Sequence, residues 1–323
     1  MNLRFVQTPP DLAVFDTSVA EAAELLRIDA EQVAALTADG LQHRVDPERG
    51  LLFDYADVVN AGARSRSGLT VPELAQRLLM RFAAGPEPTW LRPITWTVMV
   101  HLPAGRQSAL AAAVPDLAAD GVEALDLPDP GVPLPTVTAG RQCEPYRVRV
   151  RLTGARHQIE DARVRAAFDA HLDAFETGRV AYQSIAESLR ADHQRAWSLG
   201  VADCVVTSAV LADSLRERGL RARTRRGYLL GLLGSDHAWT EVYEQDAWRP
   251  LDVVFAHIGA GNGVHSAEFR QACCGSRFNR LLPCAVAGDA PLVVDADGGP
   301  GPKWAVTGVT SRMETAAAQG VRA

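Results

Sequence analysis

The sequence predicts an α+β chain, on three observations. Apolar residues recur at helical spacing near the N-terminus and again from residue 160 onward. Short runs at 94–100, 146–152 and 237–243 instead alternate in the manner of half-buried strands. A helix that is apolar nearly all round begins at Cys204 and is followed by two extended runs. At 323 residues, 47 % of them apolar and 22 % charged, the chain is long enough for two or three domains. That composition excludes collagen, a bare coiled coil and full disorder. The opening stretch MNLRFVQTPPDLAVFD lacks the apolar run of a secretory signal, and no window approaches the ~20 apolar residues of a membrane span. A soluble, cytoplasmic protein is therefore expected. Five cysteines, an odd number, argue against a disulfide framework and leave thiols for packing, catalysis or metal binding.

Taken in order, Thr17 or Ser18 caps a first helix carrying Val19, Ala22, Ala23, Leu25 and Leu26. Asp29 caps a second, carrying Val33, Ala34 and Leu36, which Gly40 stops. A hairpin-like piece around Asp46-Pro47-Glu48-Arg49-Gly50 follows, and then a helix opened by Asp54. This order resembles a helix-turn-helix of the MerR or excisionase type, so residues 1–65 are read as a recognition domain. They hold 5 arginines against 11 acidic residues, a balance of −6 that opposes phosphate neutralisation. A protein contact is thus expected of this domain, and nucleic acid is not.

After a linker from Asn60 to Gly68, a helix is expected over Leu69–Ala84, closed by GPEP. Ile94–Val100 and Tyr146–Leu152 read as strands, with the Pro-rich LPDPGVPLPT as loop between them. Residues 66–154 are accordingly read as a small α+β connecting domain with a boundary near Gly154. Helix is expected again from Glu160 to about Phe175 and from Arg179 to Trp197, with Val180, Ile185 and Leu189 in the core. The tail, residues 299–323 with GGPGP and TAAAQG, reads as flexible.

The chemistry begins at Asp203-Cys204. Asp203 suits an N-cap, Cys204 the first helical position, and Gly219 the residue just past the helix. The free N–H groups of a helix start favour thiolate, the form that attacks carbonyls. A buried cysteine at such a place packs more often than it reacts, so the position needs partners. His237-Ala-Trp-Thr-Glu-Val-Tyr243 alternates, which puts His237, Trp239, Glu241 and Tyr243 on one face. Ala247–Phe255 is the second extended run. With Glu244–Gln245 or Tyr243–Asp246 as the loop, His237 lies directly opposite Asp252, with Cβ atoms ~4.5–5.5 Å apart. Such a carboxylate holds the imidazole tautomer while the other ring nitrogen takes the thiol proton.

The stretch GVADCVVTSAVLADSLRERGLRARTRRGYLLGLLGSDHAWTEVYEQDAWRPLD, residues 200–252, closely resembles the transglutaminase-like superfamily of papain-like cysteine enzymes. The match lies in the Cys at a helix start, the Gly219–Arg223 run, the Gly227-Tyr228 strand, HAW-x-EV at His237 and W-x-x-L-D ending at Asp252. It implies a papain-like core over residues 155–298, with a Cys-bearing helix packed on an antiparallel sheet that carries His and Asp. It implies Cys204 as nucleophile, His237 as general base and acid, and Asp252 as orienting carboxylate. Ala202 stands where the family commonly has Gly. The Cys204 N–H is one natural oxyanion donor. Trp197 is a candidate for a second, with packing the commoner role for such a Trp, and Trp239 is read as a wall of the pocket.

No cofactor is expected. Cys273, Cys274 and Cys284 with His257 and His265 lack the spacing that lets two thiolates chelate one ion, so no metal is expected either. The run Gly259–Leu282 is read as a substrate-binding loop. The expected activity is cysteine-dependent acyl transfer, forming or cleaving amide bonds through a thioester on Cys204, as in peptide or amide natural-product biosynthesis. Its partners would be an acyl donor (a carrier-protein thioester, an ester or a peptide amide) and an amine or water acceptor. The alternative is a DNA-binding regulator with a ligand-sensing transglutaminase-like domain. A complete Cys–His–Asp set favours the enzyme.

Overall fold

A computed structural model describes residues 3, 5–101, 110–127, 146–231, 234–261, 267–295 and 306–312. Cys143, His265, most of the Pro-rich run and most of the tail lie outside the described residues. Among the described residues no helix is long and apolar enough to cross a membrane.

The N-terminal unit runs β1 (Phe15–Ser18), α1 (Val19–Leu26), α2 (Ala30–Ala35), β2 (His43–Asp46), β3 (Gly50–Asp54) and α3 (Tyr55–Ala63). Ser18 caps α1 in a reciprocal box: its side chain accepts from the Glu21 N–H, and Glu21 accepts from the Ser18 N–H at 2.7 Å. Asp29 and Gln32 repeat the device at α2. The strand β1, absent from the sequence reading, adds to β3 and gives a sheet of order β1-β3-β2. Leu25, Leu26, Val33, Leu41, Phe53 and Val58 fill the core between this sheet and the helices.

Then come α4 (Val71–Met80), a 3-10 turn at Arg81–Ala84, α5 (Pro88–Leu91), β4 (Ile94–His101), β5 (Leu110–Ala112), β6 (Val122–Asp126) and β7 (Tyr146–Leu152). Next are α6 (Ala162–Glu176), β8 (Ala181–Tyr182), α7 (Glu187–Arg190), α8 (His193–Ser198), β9 (Val201–Ala202) and α9 (Cys204–Glu217). The chain continues with β10 (Ala222–Leu230), β11 (Gly234–Glu244), β12 (Ala247–Leu251), α10 (Val253–Gly261) and α11 (Ala267–Ala272). It ends with β13 (Leu281–Pro283), β14 (Val293–Asp295) and β15 (Val306–Arg312). One eight-stranded sheet has the order β13-β10-β11-β15-β4-β7-β6, with β12 on β11. The strands read as a separate connecting domain, β4 and β7, thus share a sheet with those that carry His237. The expectation of a flexible tail is corrected where β15 pairs with β4 from Val306 to Arg312. The helix expected over 179–197 is replaced by β8 and two short helices, because β8 pairs in parallel with β9, Tyr182 opposite Ala202.

Two further corrections concern the chain after His237. The β11–β12 turn is Gln245–Asp246, both left-handed at φ 50° and 57°, closed by the pair Glu244–Ala247. Two left-handed residues make the tight hairpin turn that Asn-Gly serves best. Asp246→Gly is therefore expected to stabilise the protein by about 1 kcal/mol, read as a higher urea midpoint at unchanged slope. The run expected as a substrate-binding loop is largely framework. Asn279 is fully buried, and its side-chain amide donates to the carbonyls of Thr89 (3.0 Å) and Arg92 (2.7 Å). Trp96 Nε1 in turn donates to the Asn279 carbonyl at 2.8 Å. Phe278 packs against Trp90, Phe255 and Phe269.

Candidate active site

Cys204 opens α9, whose Val205, Val206, Val210, Leu211, Ala212 and Leu215 are all buried. Full burial of such side chains stabilises a core by ~1.5–3 kcal/mol each for the larger ones, which fixes where the helix start sits. One oxygen of Asp203 accepts from the Val205 and Val206 N–H groups, both at 3.0 Å, and the Cys204 N–H is not among the donors it satisfies. Its other oxygen takes Arg190 Nε at 2.5 Å. Thr240 Oγ1 donates to the Ser208 carbonyl at 2.9 Å and ties β11 to α9 one turn beyond the thiol.

His237 and Asp252 are both buried and meet at 2.7 Å, Nε2 to Oδ2. This leaves Nδ1 as the ring nitrogen for Cys204. The expectation that the two residues stand directly opposite is corrected. Leu251 pairs with Thr240, so Asp252 falls level with Trp239 and reaches His237 along the diagonal. The loop was placed one residue early, which moves the register by two and keeps both side chains on one face. Nor does the second strand continue to Phe255: Asp252 starts α10, accepting from the Phe255 N–H through Oδ1 at 2.9 Å. Its own N–H donates to the Cys273 carbonyl at 2.9 Å. The carboxylate is thus held at both oxygens.

Burial pushes the His237 imidazole down. The Asp252 charge and hydrogen bond, joined by those of Cys204, outweigh that and lift it to about 10. The ring stays protonated at neutral pH, sandwiched against Phe255 at 4.6 Å. Arg190 and Arg226 also lie within Coulomb reach of Cys204. Positive charge thus surrounds the sulfur, with Arg226 almost wholly buried and paired to Asp236.

Of the two tryptophans, Trp197 is engaged elsewhere and Trp239 stands beside the histidine. Trp197 packs against His171 at 5.3 Å and Phe175 at 6.0 Å, between α8 and α6. Trp239 lies beside the His237 ring at 6.1 Å, as a wall would, and its Nε1 donates to Glu241 at 3.4 Å. It also borders a cavity of about 320 Å³ lined by Arg223, Arg225, Glu241 and Trp248, away from the thiol. Among the described residues no three His, Cys, Asp or Glu side chains converge as a metal site requires. Burial pushes the thiols of Cys273 and Cys284 far up and that of Cys274 to about 12.

Sequence reasoning missed Arg190, Arg226 and Tyr182. The first is a half-buried arginine and the second a buried one, which composition does not distinguish from surface ones. Tyr182 sits near the start of the segment read as helix. The Thr177-Gly178 stop followed by Val180 and Tyr182 was the available signal, since Gly178 has the positive φ of a helix end, 73°.

Among curated proteins none matches the chain. Among solved structures it is similar to one from Cytophaga hutchinsonii described as a candidate cysteine protease, at 12 % identity. The likeness covers 68 % of this chain and 95 % of that one, with a TM-score of 0.26, too low to establish a shared arrangement. Residues 152–253 match the family described as Transglutaminase-like superfamily, a span that holds β8, α9, the His237 strand and Asp252. The chain therefore carries a transglutaminase-like superfamily domain at residues 152–253.

Proposed function

We propose that the chain is a cysteine-dependent enzyme that moves acyl groups to an amine or to water through a thioester on Cys204. The observation that carries this reading is the buried His237–Asp252 pair set against a thiol at a helix start. The Cys204 sulfur attacks the carbonyl carbon, and the Cys204 N–H faces the developing oxyanion. His237, already protonated, gives its proton to the leaving group as the carbon–heteroatom bond breaks. The acceptor then loses a proton to His237 while attacking the thioester, the carbon–sulfur bond breaks, and the thiolate–imidazolium pair returns. Asp252 holds the ring and its charge throughout.

An activated ester, p-nitrophenyl acetate, tests this. The full chain should release nitrophenolate in a burst and carry one acetyl group on the peptide containing Cys204. The other described thiols, held neutral by burial, should stay unlabelled at pH 6. Cys204→Ala should lose burst and adduct with an unchanged melting temperature. Equal bursts from the two proteins overturn the proposal.

A further inference from the structure

The strand Ala181–Tyr182 has two sides with different neighbours. On one side the N-terminal unit grips it and the residues that follow. Asn60, on α3 and almost fully buried, accepts the Ser184 N–H at 2.7 Å and donates to the Ser184 carbonyl at 2.9 Å. Arg64 donates to the Tyr182 carbonyl at 3.3 Å, and Gln183 Nε2 donates to the Val6 carbonyl at 2.7 Å. Gln183 thereby points at the N-terminal unit, so strand alternation sends Tyr182 the other way, into the catalytic core. There its ring meets Phe175 at 6.4 Å and His257 at 6.3 Å.

The other edge of β8 leads to the nucleophile. Tyr182 pairs with Ala202, two residues before Cys204, and the Gln183 N–H donates to the Ala202 carbonyl at 3.0 Å. Burial, and then the charges of Cys204, Asp203 and Asp252, push the Tyr182 phenol well above its ordinary range. It remains a neutral donor within Coulomb reach of all three groups. The Trp239 indole N–H is committed to Glu241, and Trp197 packs between α8 and α6.

We propose that Tyr182 supplies the side-chain hydrogen bond to the oxyanion at Cys204, and that Asn60 and Arg64 of the N-terminal unit are the positioning residues that hold it there. The inference rests on the thioester reading. It makes the N-terminal unit an integral support of the catalytic site. Asn60 acts on both polar groups of the Ser184 backbone at once, a clamp that resists sliding as well as separation. A mobile β8 would let the phenol drift by an ångström, enough to cost ~10²-fold in rate.

The test uses the full chain, with acylation by p-nitrophenyl acetate and alkylation by iodoacetamide followed at the Cys204 peptide. Alkylation passes through no oxyanion, so it reports the thiol alone. Tyr182→Phe is expected to slow acylation by about 10²-fold, as loss of one oxyanion donor does, and to leave alkylation within about twofold. Asn60→Ala is expected to slow acylation by about tenfold, again sparing alkylation. The double variant should be no slower than Tyr182→Phe, because Asn60 acts through the phenol. Arg64→Met removes the contact to the Tyr182 carbonyl, and gives the same pattern at smaller amplitude should Asn60→Ala fail to fold. Wild-type acylation in Asn60→Ala and Arg64→Met, multiplying effects in the double variant, or equal slowing of both reactions overturns the inference. Failure of the thioester reading looks different, since the wild-type Cys204 then takes no acetyl group at all.

Discussion

His237→Ala is expected to lower Cys204 acylation by p-nitrophenyl acetate by about 10⁴-fold, close to the loss from removing the thiol, since members of such a unit fail together. The imidazole faces Cys204 and is the proton donor nearest the leaving group. A loss below tenfold would show that the thiol reacts without it. The same variant measures a pH dependence whose sign follows from the raised pKa. His237 binds its proton more tightly folded, at about 10, than its ordinary 6.5. The stabilisation is complete below ~6.5 and is lost as pH rises through about 10. The stability gap between wild type and His237→Ala, from urea midpoints, should therefore be widest near pH 6 and shrink steadily toward pH 10.5. A gap that is flat over this range would deny the ion pair.

Gly227→Ala is expected to destabilise the protein by about 3 kcal/mol and to disable the site with it. Gly227, on β10, stands opposite His237 of β11 and opposite Pro283 of β13. A Cβ there would lie 2.1 Å from the Leu282 carbonyl oxygen, and a backbone atom cannot swing aside as a flexible side chain can. Either β13 lifts or β10 shifts, and a shift of β10 carries His237 away from Asp252. Chemical denaturation and the nitrophenolate burst check the two parts. A variant with wild-type stability would mean that the strands yield without cost.

Much of the site was legible because its signals are local. Asp203 and Gly219 bracket α9 through backbone groups within a turn of each residue, and the apolar surround of α9 follows from its own side chains. The His237–Asp252 face survived a misplaced turn because side chains alternate with a period of two, and the error was an even number of residues. The turn itself was misread because Gln245 and Asp246 take a left-handed conformation that glycine usually marks.

What the sequence by itself determined was the inventory: a capped helix with Cys204 at its start, a strand presenting His237, and Asp252 at the end of the next. Those follow from capping and periodicity, whose energies act over a few residues. Only the tertiary structure decided that Tyr182 belongs to a strand, that β15 joins β4 to the His237 sheet, and that Asn60 reaches Ser184 across 124 positions. A two-residue strand has no period of its own to display. It exists because β9 supplies its backbone partners, and such pairings are settled by the packing of segments far apart in the chain.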